Sequence, residues 1–229
     1  MKRVGLVGGL GPESTIDYYR RIVEKWHRSD ASSAPALMID SLDVKHALRL
    51  VEDDRQALVH YLLESVKRLA SAGVDFIALT ANTPHIVFDE LSREAPVPLL
   101  SIVEACAHEA ERRGLHRVVL LGTRFTMEAP FYHDVFARFG LDVIVPSPED
   151  RAWVHDRYVN QLLLGQLRDE TRSELVALVA RRKKEHDADG VILGGTELPL
   201  LFSAPTIADL PVLDTTELHV AAIVERLRS

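Results

Sequence analysis

Apolar residues fall along this chain in two alternating rhythms. Short runs bounded by glycine, proline or asparagine read as strands: Val4–Val7, Ala36–Ile39, Phe76–Leu79, Leu99–Ile102, Val118–Leu121, Val143–Val145, Val191–Leu193 and Val212–Leu213. Between them lie stretches of helical period, including Thr15–His27, Asp54–Ala72 and Thr171–His186. In the second of these Leu58, Leu62, Leu63, Val66 and Leu69 mark one face, which the spacing assigns to the core. Strand and helix alternating in this way predict an α/β fold with mostly parallel sheets flanked by helices.

The pattern also repeats. Arg3-Val4-Gly5-Leu6-Val7-Gly8-Gly9 aligns with Arg117-Val118-Val119-Leu120-Leu121-Gly122-Thr123, 114 positions later. Asp75–Thr83 aligns with Asp189–Glu197 at the same offset of 114, and Pro98-Leu99-Leu100 with Pro211-Val212-Leu213 at 113. Offsets near half the chain length predict two pseudo-symmetric α/β halves. In open α/β sheets ligands bind beyond the carboxyl ends of the strands. Four loops occupy those ends: Gly8–Pro12, Thr80–His85, Gly122–Arg124 and Gly194–Pro199. Halves packed about a pseudo-twofold axis would bring these loops to one cleft, where groups can reach both faces of a chiral carbon.

Composition narrows the function. The 229 residues carry a net charge of −7, so no basic excess is present to neutralise phosphates and no nucleic-acid partner is expected. No apolar stretch approaches the roughly 18 residues of a membrane span, so no membrane partner is expected either. The N-terminus runs directly into Val4–Val7 without a signal-peptide pattern, which makes the cytoplasm the expected location. One cysteine excludes an internal disulfide, and the ten scattered histidines offer no ligand spacing, so no metal site is expected. Cys106, flanked by Ala105 and Ala107 in a helical run, reads as a small core residue.

The loop residues resemble a known family. Gly5-Leu6-Val7-Gly8-Gly9-Leu10-Gly11-Pro12-Glu13-Ser14-Thr15 is similar to the N-terminal signature of the aspartate/glutamate racemase family. Ala81-Asn82-Thr83-Pro84-His85 resembles its Cys-Asn-Thr-x-His loop, and Gly194-Gly195-Thr196-Glu197 its Gly-Cys-Thr-Glu loop. Leu121–Met127 matches a further family loop, so the likeness spans almost the whole chain in order. The resemblance implies two α/β domains, here 1–103 with 213–229 and 104–212, with the site in the interdomain cleft. It further implies a homodimer, a small carboxylate or amino-acid substrate, and no cofactor. One thiolate removes the α-proton and a second thiol donates to the opposite face.

Both thiol positions depart from the family: they read Ala81 and Gly195, 114 residues apart and therefore symmetry mates. Neither side chain carries a proton. His85 and Glu197 are the titratable residues left in the two loops and the candidates for acid–base work. Thr80 should point away from the face of Ala81. Gly9, Asn82, Thr83, Thr123 and Thr196 are the expected substrate-binding residues, through backbone N–H, amide and hydroxyl groups. Arg124 and Arg49 are cationic candidates for a distal carboxylate. Many aspartate-specific relatives carry a lysine near the position of Leu163, which argues against an aspartate substrate. The expected function is a cofactor-independent amino-acid racemase with its thiols replaced. The alternatives are a carboxylate-binding protein without turnover, and a related isomerase or decarboxylase.

Overall fold

The computed structural model describes residues 1–202 and 204–229. It divides into two compact units, Met1–Ile102 with His219–Ser229, and Val103–Leu218.

The first unit contains β1 (Arg3–Gly8), α1 (Pro12–His27), β2 (Ala36–Ser41), α2 (Val44–Asp53), α3 (Arg55–Ser71), β3 (Phe76–Leu79), a 3-10 turn at Thr83–Val87, α4 (Phe88–Glu94) and β4 (Leu99–Leu100). Its sheet is parallel throughout, in the order β2-β1-β3-β4. The five predicted core positions of α3 are all buried. Short polar side chains define where helices begin: Asp43 accepts from the Lys45 N–H at 2.8 Å and Asp54 from the Ala57 N–H at 3.0 Å. The predicted strand Leu99–Ile102 is shorter than expected. It stops at Leu100, and Ile102 begins α5 (Ile102–Arg112), in which the chain passes to the second unit.

The second unit continues with β5 (Arg117–Gly122), α6 (Arg124–Glu128), α7 (Phe131–Ala137), β6 (Asp142–Ile144), α8 (Pro148–Asn160), α9 (Asp169–His186), β7 (Gly190–Gly194), α10 (Leu198–Leu201), β8 (Thr206–Ile207) and β9 (Leu210–Asp214). The chain returns to the first unit along α11 (Thr215–Arg228), whose Val220, Ile223, Val224 and Leu227 join the core of β1, β3 and α1. The order β6-β5-β7-β9 reproduces that of the first sheet strand for strand, so the sequence repeat is a repeat of topology. Among the described residues β8 alone departs, pairing antiparallel with β9 at one edge.

Candidate active site

In each unit the two central strands end side by side. In the first, Val7 of β1 pairs with Leu79 of β3, so the loops that follow start as neighbours. Gly9 turns the chain with φ +76°, and a Cβ there would lie 2.5 Å from the Leu42 nitrogen and 2.6 Å from Ser41 Oγ. Only glycine satisfies both the left-handed backbone and the close approach. The Gly9 N–H donates to Thr15 Oγ1 at 2.9 Å, Thr15 donates on to the Gly11 carbonyl, and Ser14 Oγ donates to the Thr80 carbonyl at 2.8 Å. Thr80 is fully buried, 3.2 Å from both the Val7 carbonyl and Thr15 Oγ1, and its hydroxyl ties the two loops together. Asn82 is buried beside it, and Thr83 half-buried opens the 3-10 turn.

His85 is held on both sides. Its Nε2 accepts from the Ile102 N–H at 3.2 Å, which leaves the proton on Nδ1, donated to the Ala81 carbonyl at 3.0 Å. Burial lowers its pKa to about 4, so the ring is neutral near pH 7. Phe88 stacks on it at 4.9 Å. The ring therefore ties the Ala81 carbonyl to the start of α5. No other titratable side chain occurs in Thr80–His85.

In the second unit Gly122 of β5 pairs with Gly194 of β7. Thr123 caps α6, its Oγ1 accepting from the Thr126 N–H at 3.2 Å. Arg124 is exposed, its guanidinium 5.2 Å from the Phe125 ring, and Arg49 is exposed on α2 of the first unit. Leu163 lies half-buried in a 3-10 turn, Leu162–Leu164. Beyond β7 come Gly195, Thr196 and Glu197, all buried. The Glu197 carboxylate accepts from the Thr196 hydroxyl at 3.1 Å and from the hydroxyl of Tyr158, a close hydrogen bond. Burial raises the pKa of Glu197 against the opposing pull of these two donors. Burial, and then the neighbouring Glu197 charge, push the Tyr158 phenol well above its ordinary value.

Tyr158 is the residue that sequence reasoning missed. It lies on α8 with Val154, one turn apart on the buried face, while α8 packs against β5 and α6. Its ring occupies the space beside Gly195: a Cβ at that glycine would lie 2.6 Å from Tyr158 Oη and 2.8 Å from Cζ. A side chain at 195 and the Tyr158 ring cannot share this volume. The signal was indirect. Position 195 has no Cβ, whereas its counterpart in the repeat, Ala81, has one.

Cys106 lies fully buried in α5, and burial raises its thiol pKa, so it is a core residue here. Among the described residues no cluster of His, Cys, Asp or Glu is placed to hold a metal ion, and no helix is long and apolar enough to cross a membrane.

Comparison with known proteins gives one answer. The profile of the Asp/Glu/hydantoin racemase family matches residues 7–223. The broad-specificity amino-acid racemase RacX of Bacillus subtilis (strain 168) is 26% identical over 220 residues, covering 93% of this chain and 92% of that protein. The crystal structure of an aspartate racemase homologue from Pyrococcus horikoshii OT3 is 35% identical, covers both chains completely and superposes with a TM-score of 0.86. Aspartate racemase from Picrophilus torridus, at 21% identity and a TM-score of 0.78, shares the fold.

Proposed function

The chain belongs to the Asp/Glu/hydantoin racemase family, and from that premise we propose that it is a cofactor-free amino-acid racemase acting by proton transfer at the α-carbon of a small amino acid. The observation that carries this reading is the buried carboxylate of Glu197 at the end of β7, among hydroxyl donors and with a raised pKa. A carboxylate brought toward neutrality is a workable acid or base, and one held only as loop scaffolding needs no such environment.

The family's thiol positions hold Ala81 and Gly195, so on this reading the proton is carried by other groups. Asn82, Thr83, Thr123 and Thr196 supply amide and hydroxyl donors for the substrate carboxylate. We assign His85 to holding the loop, because both its nitrogens are engaged by main chain. A homodimer in the cytoplasm is the assembly and location attached to this reading.

A second reading, a carboxylate-binding protein without turnover, is favoured by one observation: the loop Thr80–His85 has only His85 to titrate, and that ring is committed. Both readings are tested together by incubating the protein with each common L- and D-amino acid in D2O. Loss of the α-proton NMR signal, with the opposite enantiomer appearing on chiral chromatography, is the expected result. Thermal stabilisation by an amino acid without exchange of its α-proton would establish the second reading. Neither exchange nor stabilisation for any member of the panel refutes both.

A further inference from the structure

Gly195 and Tyr158 together say more than the loss of a thiol. The volume that a side chain at 195 would fill holds the edge of the Tyr158 ring, with its oxygen 2.6 Å from where the Cβ would stand. We propose that the Tyr158 hydroxyl has taken over the proton-carrying role at the end of β7, with Glu197 as the positioning group that receives and returns the phenol proton. The inference rests on the α-carbon chemistry proposed above and names the group that performs it.

Three observations support it. First, the replacement is spatial, since Oη and Cζ stand where the side chain of a cysteine at 195 would start. Second, the phenol is held rather than loosely packed. Its O–H donates to Glu197 Oε2, and the Glu197 backbone N–H approaches Oη at 3.5 Å. Third, the pair is connected for relay, because Thr196 Oγ1 donates to the same Glu197 oxygen, Oε2, and steadies it. A buried phenol is a poor base alone; with a carboxylate in contact its proton has somewhere to go.

The step balances with the groups present. The Cα–H bond of the substrate breaks and its proton forms a new O–H bond at Tyr158 Oη. The phenol's own proton passes to Glu197 Oε2, converting the carboxylate to the acid. The electron pair of the broken bond stays on the α-carbon and delocalises into the substrate carboxylate. The reverse sequence returns a proton, or a deuteron from D2O, to that carbon. No oxidant, metal or cofactor enters.

The experiment measures α-deuterium incorporation into the amino-acid panel by four proteins: the parent chain, Tyr158→Phe, Glu197→Gln, and the double variant Tyr158→Ala with Gly195→Cys. Tyr158→Phe keeps the ring and should lower exchange by about 10²-fold or more, the usual weight of a general acid–base group. Glu197→Gln should lower it too, and should abolish the rise of rate with pH that reports Glu197 ionisation, a change that a purely structural role would not produce. The double variant removes the ring, frees the space beside position 195 and supplies a thiol, so it should regain exchange relative to Tyr158→Phe. Unchanged exchange in Tyr158→Phe overturns the proposal while leaving α-carbon chemistry intact. If Tyr158→Phe has no cooperative melting transition, Glu197→Gln decides, and parental exchange with a parental pH profile overturns the proposal. Exchange by the double variant but not by the parent discards both the tyrosine and turnover by the parent chain, leaving a pocket that binds without reacting. Exchange by none of the four discards both.

Discussion

Acidification from pH 7 to pH 5 should remove about 4 kcal/mol of stability from the first unit, through two buried histidines. His219 donates from Nε2 to the Leu100 carbonyl at 3.1 Å and accepts at Nδ1 from the Tyr18 hydroxyl at 2.9 Å. His85 has the opposite tautomer, held by Ala81 and Ile102. Burial lowers the pKa of His85 to about 4 and that of His219 to about 3, the latter with a further push from His85. The sign follows from linkage: the unfolded chain binds protons below about pH 6.5 while the folded one does not, so stability falls as pH falls. By pH 5 each histidine has cost about 2 kcal/mol, at 1.36 kcal/mol per pH unit. Against a typical 5–15 kcal/mol for a domain, that is about a quarter or more. Glu109, whose pKa is lowered to about 2 by its arginine partners, titrates below this window. Glu197 acts in the opposite sense, because its raised pKa means that acid relieves a burial penalty, but it belongs to the second unit. Urea unfolding followed by Trp26 fluorescence reports the first unit, and Trp153 the second. A loss below about 1 kcal/mol at the Trp26 transition would refute the reasoning. So would an undiminished loss in the His85→Gln, His219→Gln double variant.

Two further outcomes follow from local geometry. Gly9→Ala should cost more than the roughly 1–2 kcal/mol of a left-handed alanine, because its Cβ would also strike the main chain at Leu42. A urea midpoint within error of the parent would contradict this. Cys106, the single thiol and fully buried, should react with Ellman's reagent only as fast as the protein opens. Fast labelling of the native protein would show that α5 is less protected than described.

The strands were legible because buried parallel strands write themselves as uninterrupted apolar runs. Each of the eight expected runs overlaps an observed strand; Val143–Val145 overruns β6 by one residue, and Leu99–Ile102 is cut to two residues where the helical period of α5 begins. The edge strand β8 escaped because its turn uses Ala208 and Asp209 at positive φ, without the glycine that usually marks such a hairpin. The loops of the candidate site were readable as motifs, but the side chains that complete them were not. Ile102 comes 17 residues after His85, and Tyr158 precedes Glu197 by 39. Neither pairing has a local period to reveal it. Such contacts arise from which helix the sheet order places over which strand end, information that spacing along the chain does not contain.

The ring beside Gly195 also makes the effect of a substitution at either position depend on the other. A cysteine introduced at 195 while Tyr158 is present overpacks a buried volume, at about 1–3 kcal/mol. Removing the tyrosine first leaves a ring-sized void, at about 3–5 kcal/mol for an aromatic truncated to alanine, and strips the buried Glu197 of one of its two side-chain donors. Either single step lowers stability, one by overpacking and the other by opening a void. This is epistasis set by volume: the effect of a side chain at position 195 depends on what stands at position 158.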